Sequence, residues 1–169
     1  MKPAVKFGLI NGGLAILWSL VMYITGLNRH PNAQWFSMLQ LIIPIILMTM
    51  VVKEYRSTIG NGWITFGKAF NQSFIVGLIG GLIGTAFYYI YITVIDPEFI
   101  DFQKSVQMEK MAERGMSDEM IEQGMQQAEF FMKPGMQCVF AIVFTLIISA
   151  VLALIIAAIF KKPNPEAIQ

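Results

Sequence analysis

The sequence predicts an all-α fold: a four-helix transmembrane bundle with an extracytoplasmic helical hairpin between spans 3 and 4. Three observations carry this expectation. Of 169 residues, 56% are hydrophobic and 14% charged, whereas a soluble domain is typically about 45–50% apolar and about 25% charged. Four segments approach the roughly 20 apolar residues that cross a bilayer, and none of them contains Asp, Glu, Lys or Arg. A greasy soluble bundle would show charges every turn on its wet face. Finally, one charged stretch between the third and fourth segments carries two helix-start signals. The whole chain, 1–169, reads as a single membrane domain.

The first span covers about 7–27. Lys2 and Lys6 precede it, as in a signal peptide, but its apolar run exceeds the roughly 7–15 residues of a signal core. The following "TGLNRHPNAQW" lacks a small-x-small cleavage site, so we expect this span to be retained. Asn11, one turn inside, is placed to hydrogen-bond across helices. The second span, about 35–52, is interrupted by Ser37, Gln40, Pro44 and Thr49. Pro44 is expected to kink it and to free the carbonyl of Gln40. An alternative reading makes Asn11, Gln40 and Pro44 a polar path or hinge.

In the loop "KEYRSTIGNGWITFGKAFNQS", Gly60-Asn61-Gly62 signals a turn. Trp63, Phe66 and Phe70 then recur at helical spacing, which predicts a short interfacial helix. The third span, about 73–95, contains "GLIGGLIG". A phosphate loop needs G-x-G-x-x-G or G-x-x-x-x-G-K-S/T, and neither spacing occurs. Gly77 and Gly81 instead form one G-x-x-x-G pair, and Gly80 and Gly84 an overlapping one. Such pairs let helix backbones approach closely in lipid. Ala69, Ser73, Gly77, Gly81 and Thr85 make a row of small residues every four positions. The fourth span, about 136–160, carries a matching row: Ala141, Thr145, Ser149, Ala153 and Ala157. Gly8 and Gly12 begin a shorter row in the first span. The third and fourth spans are therefore expected to pack together; a pore lined by glycine is the competing reading.

The helical loop, 96–135, opens on Asp96-Pro97-Glu98, with Asp as cap and Pro at the first helical position. This helix should reach Arg114 and stop at Gly115. Ser117-Asp118-Glu119 begins a second, which ends before Pro134-Gly135. In it Ile121, Met125, Ala128 and Met132 form an amphipathic stripe. Met108, Met111 and Met116 add to the methionine content, read as resting on the membrane surface or on each other, with adaptable partner binding as the alternative.

Charge orients the chain. Lys2, Lys6, Lys53, Arg56, Lys68, Lys161 and Lys162 share one predicted side with only Glu54 and Glu166, whereas the other side holds most of the acids. By the positive-inside rule both termini are cytoplasmic. Trp35, Tyr55, Trp63, Tyr88, Tyr89 and Tyr91 sit near span ends, where aromatic anchors belong. A net charge of +1 offers no field for nucleic acid. Cys138 reads as a small buried hydrophobe rather than a reactive thiol. His30 stands beside Arg29 with no companion ligand; H-E-x-x-H, C-x-x-C and G-x-S-x-G do not occur. Glu109/Glu113 and Glu119/Glu122 read as a solvated face rather than acid–base pairs. No ionisable group lies within a span, which argues against a proton-coupled pump. We expect no catalytic, cofactor-binding or metal-ligating residues.

The runs "GWITFGKAF" and "YYIYITVIDPEF", an acidic helical segment and the ending "IIAAIFKK" together resemble an uncharacterised bacterial membrane family, the domain-of-unknown-function family four-one-nine-nine. The resemblance covers nearly the whole chain and implies a four-helix protein of a Gram-negative inner membrane. It brings no established activity. Function is accordingly expected to be non-enzymatic, structural or accessory, through helix packing and the periplasmic hairpin. The expected partners are the lipid bilayer and either further copies of the chain or another membrane protein. The alternative is a small-solute transporter or channel component acting as an oligomer.

Overall fold

The structure, a computed structural model, describes residues 1–164; Glu166, counted above on the basic side, lies outside the described residues. The described chain is helical apart from turns and one isolated antiparallel bridge, Ile64–Lys162. Its helices are α1 (Pro3–Ile24), α2 (Ala33–Leu39), α3 (Ile42–Thr58), α4 (Phe66–Ile90), α5 (Phe99–Glu113), α6 (Asp118–Met132) and α7 (Pro134–Phe160). A 3-10 turn spans Leu27–Arg29, and a π-helical turn, Tyr91–Ile95, extends α4. Four helical segments are long and apolar enough to cross a membrane: Pro3–Ile24, Ala33–Thr58, Phe66–Ile95 and Pro134–Phe160. The chain divides into two compact units, Met1–Gly84 with Ile142–Gln169, and Thr85–Ala141.

In the first unit α1 begins with Pro3 at its first position, where the missing N–H costs nothing. It ends at Thr25, whose hydroxyl donates to the Val21 carbonyl (2.6 Å), and Gly26 follows at φ +71°, a left-handed conformation that glycine adopts without strain. The second span differs from its expectation. Pro44 does not kink one continuous helix: the helix breaks at Gln40 and Leu41, and Pro44 lies in the first turn of α3. The Gln40 carbonyl is not free either, because the Ile43 N–H donates to it (3.2 Å). Tighter three-residue bonds, including Leu41 N–H to Met38 O (3.0 Å), carry the chain through the break and absorb the donor that proline lacks.

The Gly60-Asn61-Gly62 turn is present, with Asn61 at φ 47° and Gly62 at φ 91°. No separate interfacial helix follows it. Thr65 caps α4 directly: its hydroxyl accepts from the Lys68 N–H (3.4 Å) and its carbonyl from the Ala69 N–H (3.0 Å). Phe66 and Phe70 thus belong to the first turns of the third span. The core of this unit comprises Phe7, Leu47, Met48, Val51, Val52, Val76 and Ile156 with neighbouring small residues.

The second unit contains α5 and α6, packed on each other. The expected cap at Asp96 is corrected. Its buried carboxylate accepts from the Tyr91 hydroxyl (2.9 Å), and its backbone carbonyl takes the Phe99 N–H (3.1 Å). Helix α5 starts two residues later than expected, at Phe99 with Glu98 at the cap position. The α5–α6 turn matches its signals. Gly115 sits at φ +77°, and the Ser117 side chain accepts from the Met120 N–H. Ile121 is buried, and Met125, Ala128 and Met132 are half-buried on the same stripe.

Losing a serine cap costs about 1 kcal/mol. Ser117→Ala should accordingly raise amide hydrogen exchange in the first turn of α6 about fivefold while leaving α1 and α4 unchanged; equal exchange at Met120 in both proteins would remove the cap.

Candidate functional site

Within the first unit the predicted small-residue rows meet. A Cβ added to Gly81 would collide with the Thr145 side chain, and one added to Gly77 with Ser149 Oγ and with the Met48 methyl. Ser73, Gly77, Ser149, Ala153 and Ala157 are buried. Ser73 also reaches α3, donating to the Met48 carbonyl at 3.5 Å. Helices α4 and α7 thus touch along the expected seam, and the order of the paired residues makes them antiparallel.

The second glycine pair serves another partner. Gly80 faces Asn11, whose Cβ would lie 2.7 Å from an added methyl, and Gly84 faces the Ala15 methyl at 3.7 Å. The contact is reciprocal: an added Cβ on Gly8 would lie 2.7 Å from Ile79 Cβ, and one on Gly12 2.7 Å from Ile83 Cβ. Here α1 and α4 run parallel, each isoleucine of α4 seated on a glycine of α1. Asn11 is buried and its amide donates to the Val76 carbonyl at 3.4 Å. Val76 O is also the acceptor that helical geometry assigns to the Gly80 N–H, so the bare Gly80 supplies the room that lets Asn11 reach it. Of the proposed path or hinge residues, Asn11 lies in this packed seam, Gln40 in the α2–α3 break, and Pro44 in the first turn of α3.

The outward faces invert the pattern of a soluble bundle. On α7, Phe144 and Ile159 are each 66% exposed, and Ile147, Val151 and Ile155 are also exposed, whereas Ser149, Ala153 and Ala157 are buried. Large apolar side chains point out and small ones in, as packing in hydrocarbon requires. At one end of this unit Lys6 and Glu54 form an ion pair (2.7 Å). The Ile64 and Lys162 backbones exchange two hydrogen bonds (2.8 Å each). Lys162 stands 4.7 Å over the Trp63 ring and Lys53 5.5 Å over Phe160.

The second unit holds a polar cluster that sequence reasoning missed. The Tyr88 hydroxyl donates to Gln137 Oε1 (2.6 Å) and accepts from Gln103 Nε2 (3.4 Å). Gln137 Nε2 donates to Gln103 Oε1 (3.2 Å) and to the Met132 carbonyl (2.8 Å). Three side chains from α4, α5 and α7 close a triangle. Tyr88 was legible only as an anchor; the amide of Gln137 inside the apolar fourth span was the available signal. A triangle of two amides and a phenol holds helices in register; it offers hydrogen bonds but no strong nucleophile or base. Cys138, the next residue, is half-buried. Among the described residues no three His, Cys, Asp or Glu side chains gather as metal ligands.

Gly12→Ala and Gly13→Ala differ only in surroundings, since a Cβ on Gly13 meets nothing within 4 Å. Both gain helix propensity of about 1 kcal/mol, but overpacking costs about 1–3 kcal/mol. Thermal unfolding in detergent should therefore rank Gly13→Ala above Gly12→Ala; equal midpoints would dissolve the α1–α4 contact. In the second unit, a double-mutant cycle of Tyr88→Phe with Gln137→Ala should return a coupling of about 1 kcal/mol, the net worth of one such hydrogen bond, and additive effects would break the triangle.

No curated protein and no solved structure matches the chain. A family model does, over residues 6–162, a stretch that includes α2 to α7 and nearly all of α1. The chain belongs to the family described as "Protein of unknown function (DUF4199)".

Proposed function

We propose that the chain is a non-enzymatic integral protein of the bacterial inner membrane, a structural or accessory component that works through helix packing and the α5–α6 hairpin. The observation that carries this reading is the use of α4 on two faces, Gly77 and Gly81 against α7 and Gly80 and Gly84 against α1. Two of its polar span residues are spent on contacts within the protein, Asn11 on Val76 and Ser73 on Met48. That leaves the alternative, a small-solute transporter or channel component acting as an oligomer, with less support, because Asn11, one of the three residues of such a path, is already bonded to Val76.

Orientation rests on charge. Lys53, Arg56, Lys68, Lys161 and Lys162 belong to the same end of the first unit as Lys2 and Lys6, with Glu54 already paired to Lys6. Cytoplasmic loops carry such an excess of lysine and arginine. The basic end accordingly faces the cytoplasm, and α5 and α6, which join the third span to the fourth, lie on the extracytoplasmic side. Partners are then the bilayer and a membrane protein or further copies of the chain, with no role for nucleic acid.

Two experiments test this. In a Cys138→Ser background, Gln107→Cys should react with a membrane-impermeant maleimide in intact spheroplasts and Lys161→Cys only after lysis; the reverse pattern inverts the proposal. Mild solubilisation followed by crosslinking should return the chain in a defined assembly, and a solitary monomer with measurable solute flux in liposomes would replace this reading with the transporter.

A further inference from the structure

A cavity of about 690 Å³ opens between α5 and α6. Its apolar floor is made by Met108, Ile121, Met125 and Met132. Its rim carries four carboxylates, Glu109, Asp118, Glu122 and Glu129, against one ammonium, Lys104. That lysine is already paired with Asp101 (3.1 Å), which does not line the cavity. Among the described residues none of the four rim carboxylates has an ion-pair partner. The helices are held close behind the floor by Gly124, where an added Cβ would lie 2.6 Å from the Met111 methyl.

We propose that this cavity binds an amphiphilic organic cation, a compact apolar body bearing one positive charge. Three properties select that ligand. Charge comes first: uncompensated carboxylates repel anions and leave a neutral solute without a partner for them. Shape comes second. Small-molecule sites span about 300–1,000 Å³ with apolar linings and a few polar groups, whereas two turns of a docking helix, about 11 Å long and about 10 Å across, already fill roughly 850 Å³. The third is softness: methionine side chains are flexible and polarizable, so the floor moulds to an aromatic or branched body. The inference is independent of which side of the membrane holds the hairpin and of the structural role proposed above.

The full chain in zwitterionic-lipid nanodiscs, with empty nanodiscs subtracted, is titrated with tetraphenylphosphonium and with neutral triphenylphosphine oxide by equilibrium dialysis. The cation should bind saturably, one per chain, and at least about tenfold more tightly than the neutral probe. The double substitution Glu122→Gln/Glu129→Gln should weaken the cation about fivefold or more and leave the neutral probe unchanged. Lys104→Gln should tighten it. Met125→Ala should weaken both probes. Raising salt from about 50 mM to about 500 mM screens the rim without altering the fold and should weaken only the cation. Equal affinity for the two probes, indifference to both salt and the glutamate substitutions, or a concentration-dependent dimer that takes up no probe would each overturn the proposal; the last would assign the cavity to a second copy of the chain.

Discussion

Close backbone approach at α4 is the constraint on which the first unit depends. In water, apolar side chains drive helices together; in hydrocarbon they are as well solvated outside as in, and only tighter packing distinguishes association from separation. Removing the Cβ at Gly77 and Gly81 lets α7 come in, and removing it at Gly80 lets Asn11 of α1 do so. Because these positions lie within one turn of each other, a single stretch of α4 is wedged between two partners of opposite direction, α1 parallel and α7 antiparallel. Polar bonds follow from this approach rather than cause it. Asn11 reaches Val76 across the gap that Gly80 leaves, at a distance of 3.4 Å that marks a modest bond, on the order of 0.6 kcal/mol for such contacts in membranes.

The second unit solves a different problem. Its helices α5 and α6 carry most of the acids of the chain and expose them, while methionines and Ile121 occupy the facing sides. Where α4 leaves regular geometry, the π turn brings the Asp96 N–H onto the Tyr91 carbonyl (2.8 Å), and the carboxylate of Asp96 onto the hydroxyl of Tyr91. The same residue is thus held by backbone and side chain together. π turns are rare and occur mostly as single turns within helices. Here the exit is also ringed with aromatics, Tyr91 lying 5.4 Å from Phe99.

The sequence carried the spans, the pairing of the third with the fourth, and the α5–α6 turn, because each depends on local chemistry: apolar length, small residues in register, a glycine able to take positive φ, a serine cap. The second use of the glycine run was half legible. Gly80 and Gly84 stood out as a pair, and Gly8 and Gly12 as another, but nothing in either run says that Ile79 and Ile83 fill the gaps between them. Pro44 announced a disturbance correctly and its form wrongly, since proline fixes what the backbone cannot do and not how the preceding turn tightens. Asp96 looked like a cap for the same local reasons that usually hold, but the helix starts two residues further on, and the carboxylate of Asp96 takes the hydroxyl of a tyrosine five residues earlier. Of the Tyr88–Gln103–Gln137 triangle only the amide of Gln137 within an apolar span was a local signal; its partners come from two other helices and each alone resembles an ordinary polar residue near a span end.

The bridge between Ile64 and Lys162 has a consequence for biogenesis. It fastens the approach to α4 onto a backbone segment that is translated only after α7 has been made, so until then the amide and carbonyl of Ile64 must be satisfied by water. The approach to α4 is therefore fastened last, when the chain behind α7 arrives to close the clasp on a helix that α1 already seats through Ile79 and Ile83.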